Sequence, residues 1–344
     1  RKAVVEDLQK LYEGSKLDKS YVQDILKDGK QLLAEVDSIY DLSLPRIELG
    51  EDANSSRKGI TVVGDIHADF SNMIHLFKVN GFPSLERPYI FNGDMTDKGE
   101  QSLECLLGLL LIKRYCNECM YLHVGNHETR SFYKKTLKTQ VMEMYDEETY
   151  ESVRDLLLEL PLGAVVDDRI LVIHGGIPYN GFDLNELRHY KRGRDIDRDS
   201  VEGTLFHRAV WADPTDGDDD WEKPEDDDDD EEGDEDDDDE DDIADKKRGH
   251  FTAVSTEAFL KKNSLQYIVR SHQIFKPGFQ HHHGDKVITI HSSPKAKKNR
   301  HGSYLNIYSN DGSMHIEQFI GGKLTPEVTS LNHRSQMDWR ALAS

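Results

Sequence analysis

Five short stretches of this chain carry residue types that can hold a metal ion and move a proton. They are Gly64-Asp65-Ile66-His67, Gly93-Asp94 followed by Asp97-Lys98-Gly99, Gly125-Asn126-His127-Glu128, His174-Gly175-Gly176 and Arg270-Ser271-His272-Gln273. Carboxylate, amide and imidazole donors without thiolate suit Mn²⁺, Fe or Zn²⁺ rather than a soft-metal site. A single Asp or His at a turn is more often a satisfied turn residue than a ligand. All five in this order form a specific string that chance explains poorly.

Each stretch is delivered by an apolar run: Ile60–Val63, Pro88–Phe91, Met120–Val124, Arg169–Ile173 and Tyr267–Val269. These runs read as strands, with the donors at their carboxyl ends. That is the edge where ligands gather in open α/β sheets. Residues 59–213 alternate such runs with helical stretches, and 250–320 add closely spaced strand-like runs. The mix predicts an α/β fold with sheet layers enclosed by helices. Upstream, Val22, Ile25, Leu26, Leu32, Leu33, Val36 and Ile39 recur at helical spacing, with Asp18 and Ser20 as caps. Residues 1–46 are therefore read as a helical extension packed on the downstream residues or as a bridge from a missing upstream domain, and 59–330 as the main domain. No repeat of solenoid period is present.

The charge is unevenly placed. The chain has 344 residues and a formal net charge of −23. Between Asp216 and Asp245 stand 23 acidic residues and one basic residue, Lys223, so the rest of the chain is nearly neutral. The tract has too little apolar surface to offset its ordering entropy and is expected to be a disordered insertion. The neutral body lacks the cationic excess for general nucleic-acid capture, while the tract suits basic proteins. No apolar run reaches the roughly 20 residues of a membrane span. Three cysteines cannot build a disulfide framework. Arg1 stands first, with no signal-peptide stretch after it. A reducing, cytoplasmic or nuclear location is expected.

The motifs resemble those of the phosphoprotein phosphatase family of Ser/Thr phosphatases. The likeness runs from about Gly59 to Phe319. It includes Trp211-Ala212-Asp213-Pro214 and Lys247-Arg248-Gly249, with the acidic tract between them. The lead-in at 1–46, Pro88–Asp94, Tyr267–His272 and Glu317-Gln318-Phe319 are most similar to the phosphatase 5 branch. The resemblance implies a calcineurin-like metallophosphoesterase fold, a β-sandwich of mixed sheets flanked by helices. It implies hydrolysis of phosphoserine and phosphothreonine in proteins by direct attack of a dimetal-activated water. Two metals, Mn²⁺ first and otherwise Fe or Zn²⁺, would be held by Asp65, His67 and Asp94, and by Asp94, Asn126, His174 and His272. His127 would be the general acid, oriented by Asp97. Arg248, Lys98 and Asn126 would hold the phosphate.

Three positions depart from the family pattern. Lys98 replaces an Arg and loses its bidentate fork. Ala68 replaces a Gly. Ser292-Ser293-Pro294-Lys295-Ala296 replaces a loop with a phosphate-facing Tyr, and adds Lys297, Lys298 and Arg300. These changes touch substrate handling more than metal binding. Cys116-Asn117-Glu118-Cys119 is read as packing, because a zinc site would need a second pair. Asp195, Asp197 and Asp199 imitate a calcium loop without its Gly and Glu. His281-His282-His283 could bind metal, and a hairpin near Gly284-Asp285 explains the run equally well. His291 ends the run Val287–Ile290, but the family uses no ligand there, so it stays outside the set. The enzymatic rival is a hydrolase of small phosphate esters or dinucleotides. The non-enzymatic rival is an acidic binder of basic proteins with weak activity.

Overall fold

Side chains alternate along the strands between two apolar layers, and that alternation builds a two-sheet sandwich. A computed structural model describes residues 1–47, 58–129, 136–177, 183–195, 200–217, 249–294 and 301–320. Five strands form one sheet: β2 (Gly59–Val63), β3 (Tyr89–Phe91), β4 (Met120–Leu122), β12 (His301–Tyr308) and β13 (Met314–Ile320), in the order β13-β12-β2-β3-β4. Six form the other: β1 (Ile39–Leu42), β5 (Gly163–Val166), β6 (Ile170–Ile173), β9 (Tyr267–Arg270), β10 (Phe279–His282) and β11 (Val287–Ile290), in the order β1-β5-β6-β9-β11-β10. A short pair, β7 (Asp213–Pro214) and β8 (His250–Phe251), stands apart.

Ile60, Val62 and Ile90 meet Ile170, Val172, Val269 and Ile290 between the sheets. The alternate residues Val63, Phe91, Leu122, Leu171, Ile173 and Ile268 face outward into the helix-covered core. The longer helices are α1 (Lys2–Tyr12), α2 (Lys19–Ala34), α3 (Phe70–Asn80), α4 (Ser102–Tyr115), α5 (Thr136–Met144), α6 (Glu147–Leu157), α8 (Val201–Trp211) and α9 (Ala253–Lys262); α7 (Leu184–Arg188) is one turn. Strands β2, β3 and β4 run parallel, as do β6, β9 and β11. Their carboxyl ends supply the residues singled out in the sequence.

Two readings change. The first 46 residues are not helical throughout: Asp18 caps α2 by accepting Ser20 N–H, but Ile39–Leu42 pairs in parallel with β5 as an edge strand. The helical spacing ran on through Val36 and Ile39 because an apolar residue that leaves a helix can re-enter the core as a strand. Helices α1 and α2 pack on α4 and α6, within the main core. Cys116 and Cys119 form a disulfide, because the 3₁₀ turn Asn117–Cys119 brings their Cα atoms to 5.3 Å. The hairpin reading holds, since β10 and β11 pair antiparallel around the histidine run. The acidic tract beyond Gly217, Asp197 and Asp199, Arg248 and residues 295–300 lie outside the described residues.

Candidate active site

Tight turns after the strands aim the donors into one place. His67, Asp94 and His272 adopt positive φ, at 43°, 50° and 69°. This region is costly for residues with a side chain and persists where neighbours enforce it. Here His67 N–H donates to the Asp94 carbonyl at 3.0 Å, and His272 N–H donates to Asp65 Oδ1 at 3.1 Å. Gly125 is required by contact, because a Cβ there would stand 2.2 Å from Asp94 Oδ1.

Six predicted donors converge. His67 Nε2 is 3.7 Å from Asp65 Oδ2 and 3.8 Å from Asp94 Oδ2. His174 Nε2 is 3.4 Å from Asp94 Oδ1, and the donor atoms of Asp94, His174 and His272 form one compact group. One end of the Asn126 amide lies 2.9 Å from His174 Nε2 and 3.1 Å from His272 Nδ1, with both Asp94 oxygens within 3.2 Å. With oxygen there, lone pairs crowd as they do around a cation; turned over, the NH₂ has two hydrogens to share among these four acceptors. Asp94 therefore faces both clusters.

The donor set fits metal ions. His174 donates Nδ1–H to the Asn92 carbonyl at 2.8 Å, which leaves the Nε2 lone pair for the site. Burial pushes His174 down to about 4 and His67 well below its ordinary value, so both imidazoles are held neutral, the ligating form. Burial, then the Asp65 and Glu128 carboxylates, push Asp94 well above the usual carboxylate range. Asp65 Oδ2 and His67 Nδ1 are buried without a hydrogen-bond partner. Crowded carboxylates of this kind are what a cation relieves.

Beside the clusters, His127 Nδ1 lies 2.7 Å from Asp97 Oδ2, and its Nε2 lies 3.9 Å from Asp94 Oδ2. Burial lowers the His127 pKa, while the Asp97 hydrogen bond raises it. Burial alone would raise Asp97, but the bond to His127 pulls it below its usual range. Lys98 stands exposed at the rim with φ of 58°.

Several positioning residues were not read from the sequence. The Glu128 carboxylate accepts the N–H groups of Asp94, Met95, Thr96 and Gly125 at 2.7–3.0 Å, and the Thr96 hydroxyl as well. It clamps the Asp94 turn to the Asn126 turn. Asn92 donates to the Ile173 carbonyl and to Ser271 Oγ, which ties the two sheets together. Arg270, fully buried, donates to Gly175 O, Ala212 O, Asp213 Oδ1 and Gln273 Oε1. Trp211 meets the His272 ring edge-on at 5.3 Å. Their signal lay inside the motifs, as the last letter of GNHE and the first of RSHQ. Finally, His291 stands beside Asp65, with Nε2 at 3.5 Å from Oδ2.

The calcineurin-like phosphoesterase family profile matches residues 59–274. Serine/threonine-protein phosphatase 5 of Arabidopsis thaliana is 30% identical over 81% of this chain and 46% of its own length. Serine/threonine-protein phosphatase T of Trypanosoma brucei brucei is 28% identical over 92% of this chain and 58% of its own. The chain thus spans about half the length of these curated relatives. A solved structure from Saccharomyces cerevisiae, described as a protein serine/threonine phosphatase with similarity to human phosphatase PP5, superposes with a TM-score of 0.74. It is 23% identical and covers 91% of this chain and 93% of its own. That likeness bears on the fold, a sandwich flanked by helices as expected. The chain belongs to the calcineurin-like phosphoesterase family. No helix among the described residues is long and apolar enough to cross a membrane.

Proposed function

We propose that this calcineurin-like phosphoesterase hydrolyses phosphoserine and phosphothreonine esters in proteins. One observation carries the reading. The Asp94 carboxylate stands 3.8 Å from His67 Nε2, 3.4 Å from His174 Nε2 and 3.9 Å from His127 Nε2. A single carboxylate thus touches two donor clusters and a proton carrier.

Asp65, His67 and Asp94 would hold one ion; Asp94, Asn126, His174 and His272 would hold the other. Mn²⁺ is the first ion to test, with Fe and Zn²⁺ next. When bound, such a pair supplies an acidified water and positive charge for the phosphoryl oxygens. The protein's own part is proton delivery and placement. His127 turns Nε2 into the site and passes a proton to the departing Ser or Thr oxygen. Asp97 fixes its tautomer through Nδ1 and supports the charged imidazole. Lys98 adds charge at the rim as a point donor, without the planar fork of Arg. Basic-protein binding through residues 216–245, read from the charge of the tract, and a cytoplasmic or nuclear location belong to the same proposal; the Cys116–Cys119 disulfide removes cysteine usage as support for the location.

The test uses the purified chain, stripped of metal and reloaded with Mn²⁺. Elemental analysis should give two ions per chain. A phosphoserine peptide should turn over well ahead of a dinucleoside tetraphosphate. A preference for the dinucleotide would establish the small-ester reading instead. Full metal loading without turnover of either substrate would leave a binder of basic proteins.

A further inference from the structure

We propose that His291 is an additional protein ligand of the first ion, beside Asp65 and His67. The proposal rests on the dimetal reading above and adds a donor that the family resemblance does not carry.

His291 follows β11 and is completely buried. Its backbone is pinned on both sides. It forms a parallel bridge with Asp65, its N–H donates to the Gly278 carbonyl at 2.8 Å, and its carbonyl accepts Ser303 N–H at 2.9 Å. Ser292 N–H donates to the Asp65 carbonyl at 3.1 Å. The His291 main chain therefore cannot drift from Asp65 without unzipping the join between the sheets.

The spacing of the donor atoms carries the argument. His291 Nε2 is 3.5 Å and His67 Nε2 is 3.7 Å from the same Asp65 Oδ2, and the three donor atoms lie within 4.8 Å of one another. Asp65 Oδ1 already accepts His272 N–H, so Oδ2 is the oxygen turned toward both imidazoles. Two imidazoles beside a buried carboxylate oxygen would close to about 2.7–2.9 Å if they donated to it. Neither does, and that oxygen has no hydrogen-bond partner. Atoms about 2.1 Å from a shared cation stand roughly 3.0–3.5 Å apart, close to the spacing found here.

One contact opposes this. Ser293 N–H lies 3.3 Å from His291 Nδ1. A ligating Nε2 puts the proton on Nδ1 and gives that contact up. The other tautomer keeps it and turns Nε2–H toward Asp65 as a positioning donor. At 3.5 Å, Nε2 is outside the usual N–H···O range, which favours the ligand. Two imidazoles on one ion also bias the first position toward transition metals over Mg²⁺.

Nitrogen counting separates the two roles. His272→Ala in the full chain weakens the second position, so one equivalent of Mn²⁺ fills the first. Pulsed EPR should then find two directly bonded imidazole nitrogens, and adding His291→Gln should leave one. In the otherwise intact chain, His291→Gln should weaken Mn²⁺ binding at the first position by more than about 100-fold. Loss of an outer partner alone costs about 10–100-fold. One nitrogen in the His272→Ala chain, unchanged by His291→Gln, overturns the proposal and leaves the dimetal reading standing. Absence of any Mn²⁺ binding overturns both. Because the first measurement needs no change at His291, poor folding of that variant cannot hide the answer.

Discussion

The floor of the site and its rim are built to different standards. On the floor, Asp65 and His174 are fully buried and Asp94 is 1% exposed. Each is braced by a buried hydrogen bond: Asp94 N–H donates to the Glu128 carboxylate, His174 Nδ1–H donates to the Asn92 carbonyl, and Asp65 accepts His272 N–H. At the rim, Lys98 is exposed, and it is also where the sequence departs from the family pattern. On the proposed roles, the contrast predicts that metal capture and substrate handling are separable here. A donor set buried in turns tolerates almost no change, because each turn is clamped to the next. A rim residue can change type and keep its charge without disturbing the floor.

The sharpest way to break the comparison is Asp94→Asn. It should lose at least one ion by elemental analysis, and turnover should fall to background. Two bound ions with normal activity would end the assignment. The same variant also has a stability signature. The folded-state pKa of Asp94 is raised by burial and by Asp65 and Glu128, so its ionised form opposes folding at neutral pH. That penalty is relieved as pH falls through the raised pKa. Metal-free Asp94→Asn should therefore melt no lower than the metal-free parent at pH 7.

His127→Asn tests whether the floor includes the proton carrier. Turnover of a phosphoserine peptide should drop about 10²–10⁴-fold. An aryl phosphate, whose leaving group needs less help, should suffer less. Equal losses on both substrates would assign His127 another task.

Glu128→Gln probes the clamp. One carboxylate oxygen becomes an NH₂ that faces donors, so at least two N–H groups lose their acceptor. Metal affinity should fall about 10–100-fold. Thermal or denaturant unfolding should report about 3 kcal/mol of lost stability. Unchanged affinity would show that the two turns hold themselves.

The smallest effect is expected at the rim. Lys98→Arg should raise kcat/KM on one phosphopeptide several-fold, because it restores a bidentate phosphate contact. Metal content should not change. A fall in kcat/KM would mean that the surrounding loop has adapted to lysine.

Much of the floor was legible in the sequence. Each donor follows its own strand within a few residues, as in Val63-Gly64-Asp65 or Ile173-His174. An apolar run ending in Gly, Asp, Asn or His is a local signal, and local signals survive in a linear reading. The α/β class and the hairpin around His281–His283 were legible for the same reason. The reading failed where an element's partner is remote. Helical spacing carried the eye through Ile39, yet only pairing with Gly163 makes that residue a strand. The CxxC looked like packing until the 3₁₀ turn set its geometry.

The sequence by itself determined which donors exist, their order, and the strand that presents each one. The tertiary structure alone decided which of them meet. Glu128 is one letter of a motif until four backbone N–H groups from two turns converge on it. Arg270 is a strand residue until Gly175, Ala212, Asp213 and Gln273 surround it. His291 lies far along the chain from Asp65, and no spacing rule links them. Their neighbourhood arises because β2 and β11 belong to different sheets whose ends close on each other, joined by the bridge from Asp65 to His291. Periodicity encodes the face a side chain takes. Contact between faces depends on how the sheets stack, and that is set by the whole core at once.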